Sequence, residues 1–206
     1  MWKRTTLIGA SALTVLAIST GCSSSNEPEH PASHSAAPSA TAAPGMTAAA
    51  EAHNDADVTF AQHMIPHHTQ AIEMSDTLLA KQGIDPRVTE LANQIKAAQG
   101  PEIQQMQGWL TKWGTAPMPP MSGHGDMADM SGMMSEQDMT ALKDAQGIDA
   151  AKLFLTQMIS HHEGAITMAQ TEIKDGQYPP AVELAHAIVT AQQREIDTMN
   201  GILATL

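Results

Sequence analysis

Cysteine is almost absent from this chain of 206 residues, with Cys22 as its only one. A folded part without cysteine can form neither an intrachain disulfide nor a thiolate metal site, so any soft-metal ligand must be methionine or histidine. Aromatic residues are also scarce, at 3% of the sequence. No long run alternates apolar and polar residues, and strands are therefore not predicted.

Positively charged residues are also few. The chain has 10 Lys and Arg against 22 Asp and Glu, which gives a formal net charge of −12. Lys3 and Arg4 precede the apolar amino-terminal run, and without them the net charge is about −14. This balance argues against nucleic acid and anionic lipid headgroups as partners, and it suits a surface that binds cations.

Long apolar runs are missing except at the amino terminus. Residues 7–18 are apolar but too few to span a bilayer as a mature helix, which indicates a lipoprotein-type signal peptide over residues 1–21. Cys22 follows where a bacterial lipoprotein carries its lipid, so we expect a membrane-anchored protein of the cell envelope that faces outside the cytoplasm. Ser19 stands where an aliphatic residue is usual. Ordinary cleavage, which gives a secreted or periplasmic soluble protein, is the alternative.

Residues 22–54 are rich in Ser, Ala and Pro and contain few large apolar side chains. Such a segment cannot bury enough surface to offset its ordering entropy, so we predict a disordered tether. Residues 55–206 are long enough for one domain with its own core.

The folded part contains an internal repeat. FAQHMIPHHTQAIEM at residues 60–74 matches FLTQMISHHEGAITM at 154–168, and ELANQIKAAQGPEIQQMQGWL at 90–110 matches ELAHAIVTAQQREIDTMNGIL at 183–203. Each copy therefore holds two helical blocks. The matches predict two copies of a helical hairpin, over about 55–113 and 150–206.

Each block also has a helical period. Phe60, Met64, His67, Ala71 and Met74 follow one another at steps of three and four, which predicts a helix with one inward face. The predicted fold class is all-α, an antiparallel four-helix bundle made of the two hairpins. We expect the helix-borne methionines to pack in its core.

Capping and breaking residues predict the helix ends. The predicted markers are Asn54 or Asp55 before the first helix, Gly83 after it, Asp85-Pro86 before the second, Gly114 after it, Ser135 with Asp138 at a short extra helix, Asp149 as the cap of the third, and Tyr178-Pro179-Pro180 before the fourth. Gly100-Pro101 predicts a kink inside the second helix.

The connection between the hairpins, residues 114–149, is far longer than a usual bundle loop and holds the stretch MPPMSGHGDMADMSGMM. Thioether sulfur is soft and needs no deprotonation, so the stretch suits Cu(I) or Ag(I). The predicted soft-metal ligands are Met118, Met121, His124, Met127, Met130, Met133 and Met134. A disordered loop or an adhesive apolar contact is the alternative interpretation.

The histidines form the strongest local constellation. His63 and His67 are spaced i, i+4 on one helical face, where two imidazoles can bind one divalent metal ion such as Cu(II). His67 and His161 lie on the inward stripes of repeated helices, so we expect them to approach one another in the core. The full predicted ligand set in the bundle is His63, His67, His68, His161, His162, Glu102 and Glu195. Alternatively, these residues form neutral hydrogen bonds that specify helix register.

The MIPHH and MISHH blocks resemble the domain-of-unknown-function 305 (DUF305) family over about residues 55–206. The marks of the resemblance are Phe60, Met64-Ile65-Pro66-His67-His68, Ala71-Ile72-Glu73-Met74, Met133-Met134-Ser135, Phe154 and His161-His162-Glu163-Gly164-Ala165-Ile166. The resemblance implies an exported protein with a ferritin-like four-helix bundle. It also implies copper binding as one activity, because some members are associated with copper binding and resistance in the envelope.

The sequence thus predicts an exported, envelope-tethered, non-enzymatic protein that sequesters, buffers or transfers copper. A ferritin-like redox metalloenzyme with a His and Glu site is one alternative, and a metal-free interaction module is another. The Glu-x-x-His pattern of di-iron proteins is not met, since Gln105 follows Glu102 and Thr198 follows Glu195 at that spacing.

Overall fold

A computed structural model of the chain describes residues 52–117 and 131–206. These residues form no strand and five helices, which are α1 (Asp55–Leu79), α2 (Pro86–Lys112), α3 (Glu136–Asp144), α4 (Gly147–Asp175) and α5 (Pro179–Leu203). The all-α prediction is confirmed. The predicted signal peptide, Cys22 and most of the tether lie outside the described residues.

The four long helices form an antiparallel bundle. α1 packs against α2 and α4, and α4 packs against α5, with short loops closing each hairpin. Asn54 at the start of α1 donates from its side-chain amide to the carbonyl of Asp175 at the end of α4, at 2.8 Å. Arg87 at the start of α2 donates to Thr205 beyond the end of α5, at 2.7 Å. Neighbouring helices in different hairpins therefore also run in opposite directions.

The predicted caps hold at three helices. Asn54 caps α1 and Ser135 caps α3, each in a reciprocal capping box. Asp85, which directly precedes Pro86, caps α2 by accepting from the backbone N–H of Arg87. Gly114 follows α2 with a positive φ of 68°, as its position predicts.

The prediction that Asp149 caps the third long helix, α4, is wrong. α4 begins two residues earlier, at Gly147, and Asp149 lies in its first turn. A carboxylate there still interacts favourably with the helix dipole, so the residue type fits while the exact boundary does not. Pro101 does not end α2, which continues to Lys112, and the kink at Gly100-Pro101 stays a prediction.

The core consists of two apolar clusters separated by histidines. One cluster gathers around Phe154 and includes Leu142 of α3, and the other gathers around Phe60, Trp109 and Tyr178. Core packing is predicted for six helix-borne methionines, and five of them are fully buried: Met64, Met74, Met106, Met158 and Met199. The sixth, Met168, is partly buried and packs against the cluster around Phe60. Along α1, His67 lies between Met64 of one cluster and Ala71 of the other.

Candidate functional site

A layer of four histidines crosses the middle of the bundle. α1 supplies His67 and His68, α4 supplies His161 and His162, and all four side chains are buried. The rings of His67 and His161 lie with their centroids 3.7 Å apart, tilted by 40°. The repeat predicts this approach, and the four residues are called the histidine layer below.

Two glutamates flank the histidine layer. Nε2 of His68 lies 2.7 Å from Oε2 of Glu102 on α2, and Nε2 of His162 lies 2.6 Å from Oε2 of Glu195 on α5. The glutamate side chains are 21% and 20% exposed, so each carboxylate lies between a buried ring and the solvent. The two hairpins thus repeat one His-Glu arrangement about an approximate two-fold axis.

The hydrogen bonds fix where the lone pair of His67 lies. Its Nε2 is 3.2 Å from the backbone carbonyl of Ser131, and a carbonyl can only accept, so Nε2 carries the proton and Nδ1 carries the lone pair. The carboxylates of Glu102 and Glu195 likewise accept from Nε2 of their histidines. Among the described residues, Nδ1 of His67, His68 and His162 has no hydrogen-bond partner. The lone pair of His67 therefore lies buried and unpaired, and Nδ1 of His68 and of His162 is likewise without a partner in the described residues.

Burial keeps the central rings neutral. It lowers the pKa of His67 to about 3, assisted by the nearby charge of His68 and opposed by the hydrogen bond to Ser131. Burial, and then the charge of His67, lowers the pKa of His161 well below the ordinary value. A neutral imidazole is the form that binds a metal ion.

Gln99 and Gln192 are two further buried polar residues, and both are absent from the predicted ligand set. They occupy equivalent positions on α2 and α5, and their side chains are 3% and 4% exposed. Both amide atoms of Gln99 and the carbonyl oxygen of Gln192 lack a hydrogen-bond partner in the described residues. Each lies three residues before a flanking glutamate, a spacing that the sequence shows in both copies.

The end of the long connection is bound between α1 and α4. Gln70 donates to the carbonyl of Met134 at 2.8 Å and accepts from its backbone N–H at 2.7 Å. On the other side, Ser131 and Gly132 lie so close to Gly164 that a Cβ on Gly164 would be 1.9 Å from the Ser131 carbonyl oxygen. Glycine at this position therefore lets the Ser131 carbonyl reach His67.

His63 has different surroundings from His67, its predicted partner in metal binding. It is half-buried and lines a cavity of about 520 Å³ between α1 and α4, which Ser131 also lines. The equivalent residue, Gln157, is buried and donates to the carbonyl of Asp138 at 3.0 Å. Across residues 52–117 and 131–206, no three His, Cys, Asp or Glu side chains converge as a ready metal site.

The predicted soft-metal ligands fall mostly outside the described residues. Met118, Met121, His124, Met127 and Met130 all do. Met133 is half-buried, and Met134 is 7% exposed and packs in the apolar cluster around Phe154. As placed, the Met134 side chain contributes to the core.

A family comparison agrees with this fold. The family profile described as "Domain of unknown function (DUF305)" matches residues 57–203. The chain belongs to the DUF305 family. No curated protein matches it.

Solved structures of DUF305 proteins are similar along nearly their whole length. A DUF305 fragment from Deinococcus radiodurans is 35% identical with a TM-score of 0.67, and the match covers 74% of this chain and 98% of the fragment. A DUF305 protein from Streptomyces coelicolor, provisionally described as secreted, is 32% identical with a TM-score of 0.66 over 73% of this chain and 91% of its own.

CopM is a third similar structure, and it has been solved with metals. Its Cu(II)-bound form is 31% identical with a TM-score of 0.63, and the match covers 72% of this chain and 96% of CopM. CopM has also been solved in Cu(I)-bound, Ag-bound and apo forms. Among the similar structures described above, the metal-bound ones are those of CopM.

Proposed function

We propose that this protein is an exported, envelope-tethered copper-binding protein that sequesters, buffers or transfers Cu(I) and Cu(II). The observation that carries the proposal is the histidine layer, where buried Nδ1 atoms have no hydrogen-bond partner among the described residues. A buried acceptor without a partner is unfavourable, and a bound metal ion would supply the missing partner. The similarity to CopM, solved with Cu(I) and Cu(II), supports copper as that ion.

The Cu(II) ligands are Nδ1 atoms of the histidine layer, and the flanking glutamates orient them. Imidazole nitrogen suits Cu(II), and a second hydrogen bond on the far nitrogen sets tautomer and ring direction. Glu102 does this for His68, Glu195 for His162 and the Ser131 carbonyl for His67. His63, which lines the adjoining cavity, belongs to the same proposed set of copper ligands.

Cu(I) binds to the Met-rich connection. Its proposed ligands are Met118, Met121, His124, Met127, Met130, Met133 and Met134. The described residues on either side are tied to α1, because Gln62 donates to the Ala116 carbonyl at 2.8 Å and His67 to the Ser131 carbonyl at 3.2 Å. Both attachments lie within two turns of His63, so the connection leaves and rejoins the bundle beside the histidine layer.

Export and tethering rest on the amino-terminal sequence. We propose a lipid anchor at Cys22, with residues 22–54 as the spacer to the bundle. The Streptomyces coelicolor relative, provisionally described as secreted, supports export. Within residues 52–117 and 131–206, no helix has the length and apolar character needed to cross a membrane.

One observation favours a second candidate, a redox metalloenzyme. The two His-Glu pairs flank the central rings of His67 and His161 symmetrically, as a pair of iron or manganese ligands would. Elemental analysis separates the two functions, because stoichiometric iron or manganese would favour the enzyme. A metal-free module predicts no bound metal and no thermal stabilisation by copper or silver.

The test is a pair of titrations on the purified chain. Cu(I) is titrated against a competing chelator, with the wild type and with a variant carrying Leu at the six loop methionines. Cu(II) is titrated with the wild type and with His161→Gln. We expect each variant to lose affinity for its own oxidation state. Unchanged affinity in either one removes that part of the proposal.

A further inference from the structure

One carboxylate joins the start of α1 to the turn between α4 and α5. Asp57 is fully buried and accepts from three backbone N–H groups, those of Asn54 at 2.7 Å, Gln177 at 3.1 Å and Tyr178 at 2.9 Å. The last two donors belong to the second hairpin, whereas Asp57 belongs to the first. Asp57 therefore holds the two hairpins together at this end of the bundle.

A second buried carboxyl group contacts this one. Glu172, near the end of α4, is 1% exposed and shares a hydrogen bond with the carboxyl of Asp57. In the described part of the chain neither oxygen of Glu172 accepts from an N–H or a hydroxyl group. Two carboxylates are both acceptors, so they can hydrogen-bond to each other only when one of them carries a proton.

The proton of this pair belongs to Glu172. Burial acts to raise the pKa of Asp57, but its hydrogen bonds to the Asn54 N–H, to Glu172 and to the turn together hold that pKa below the ordinary value. Burial, and then the hydrogen bond and the charge of Asp57, raise the pKa of Glu172 to about 8. At neutral pH Glu172 is therefore a neutral acid that donates its proton to Asp57.

The other copy of the repeat has apolar residues at the two equivalent positions. Ala151 corresponds to Asp57, and Leu78 corresponds to Glu172. Both are fully buried in the cluster around Phe154. Apolar side chains bury there without loss of hydration, whereas a carboxyl pair pays for desolvation. The helical hairpin thus does not require this pair, which points to a role in binding a proton.

Other titratable groups at this end of the bundle do not neutralise the pair. They are Asp55 and His63 on α1, His53 stacked on Trp113, Lys112 in the last turn of α2, Lys174 with Asp175 at the end of α4, and Tyr178 at the start of α5. Within residues 52–117 and 131–206, no lysine or arginine forms an ion pair with Asp57 or Glu172. An ionised Glu172 would therefore face the charge of Asp57 with no cation to balance it.

We propose that Asp57 and Glu172 form a proton-operated clasp between the two hairpins. With the Glu172 proton in place, the clasp holds the turn at Gln177 and Tyr178 against the start of α1. When a base in the solvent takes that proton, the two buried carboxylates repel each other, and the turn detaches while the core of the bundle stays folded. The clasp needs no metal ion, so it is independent of the proposed function.

The test measures hydrogen exchange of the Gln177 and Tyr178 amides by NMR, on the whole chain with a chelator present, between pH 5 and pH 8. Both amides donate to Asp57, so they exchange when the clasp opens. Opening releases one proton, and we therefore expect their protection factors to fall by close to tenfold per pH unit. They should also stay at least about tenfold below that of the core amide of Met158, because the clasp opens without global unfolding.

Two variants remove the proton and keep the other titratable groups. Glu172→Gln preserves the shape and can still donate to Asp57, and Glu172→Leu introduces the residue of the other copy. Both should give protection factors that do not change with pH, whereas Glu163→Gln, exposed on the same helix, should behave as the wild type. Thermal melting confirms that each variant is folded.

Three results would overturn the clasp. They are a wild type whose protection factors do not change with pH, an equal fall in the wild type and in Glu172→Gln, and protection of Tyr178 equal to that of Met158. Since no metal is present in these measurements, none of the three results bears on copper binding.

Discussion

Gln70 of α1 and Gly164 of α4 occupy equivalent positions in the two repeats, and both hold the same stretch of chain. Gln70 binds the backbone of Met134 through two hydrogen bonds, and Gly164 leaves room for Ser131 and Gly132. A duplication first gives both copies the same residue, so the two positions have since diverged. Each of the two residues now contacts the end of the connection. The consequence of these contacts is the hydrogen bond from His67 to Ser131.

Replacing Gly164 with alanine should break that arrangement. The new Cβ would lie 1.9 Å from a backbone oxygen, which cannot move aside as a side chain can. We expect unfolding to become easier by roughly 1–3 kcal/mol, as overpacking in a core does. Urea denaturation measures the change.

The matched control is Gly108→Ala in α2, where a Cβ would meet nothing within 4 Å. Alanine in an open helical position should stabilise by about 0.5–1 kcal/mol. Nitrogen NMR of the histidine rings should show the Nε2–H form of His67 in the wild type and a mixture of tautomers in Gly164→Ala. Equal stability and equal spectra in the two alanine variants would remove the role assigned to Gly164.

Acid should destabilise the metal-free protein through His67 and His161. The pKa of His67 is about 3 in the folded chain against an ordinary 6.5, so the unfolded chain binds the extra proton first as pH falls. The free energy of unfolding should therefore decrease as pH falls from about 6.5 toward 3, and His161 should act in the same direction. His67→Gln should flatten this slope, whereas His186→Gln at an exposed site should keep it.

Alkali should destabilise the metal-free protein through Glu172. Burial, then the hydrogen bond and the charge of Asp57, raise the pKa of Glu172 from 4.5 to about 8. The unfolded chain therefore loses this proton at lower pH than the folded chain, and stability should fall as pH rises from about 4.5 to 8. Glu172→Gln should remove the fall and gain roughly 1–3 kcal/mol at pH 8. Melting curves with a chelator present at pH 5 and pH 8 measure it, and an unchanged pH profile in the variant would contradict the assignment.

Glu102→Gln should weaken Cu(II) binding without unfolding the protein. The Glu102 carboxylate accepts from Nε2 of His68 and sets the direction of its other nitrogen. Loss of such an orienting partner costs about 10- to 100-fold in metal affinity. A competition titration measures the effect beside the exposed Glu163→Gln, which should bind as the wild type does. Equal affinities would show that Glu102 does not orient a ligand.

The repeat made the histidine layer predictable from sequence. His67 and His161 sit at one position of two matched helices, so a two-fold bundle brings them together, and Glu102 and Glu195 follow by the same symmetry. The helix caps were predictable where a side chain accepts a backbone hydrogen bond, as at Asn54. The prediction that Asp149 is a cap was wrong because an acidic residue is favourable both as an N-cap and in the first turn of a helix.

The contacts that break the symmetry were not predictable. Gln70 meets Met134 across 64 residues, and the role of Gly164 depends on where another backbone passes. The cavity likewise depends on which faces of α1 and α4 remain uncovered, and the sequence does not show that. Helical period assigns a residue to a face, but only packing decides what lies opposite.

The most direct test of copper binding is native mass spectrometry with metal analysis of the protein isolated from its own envelope. The account predicts a folded, lipid-bearing chain that carries copper, and a His161→Gln chain that carries less. A metal-free chain, or one with stoichiometric iron or manganese in place of copper, would contradict it.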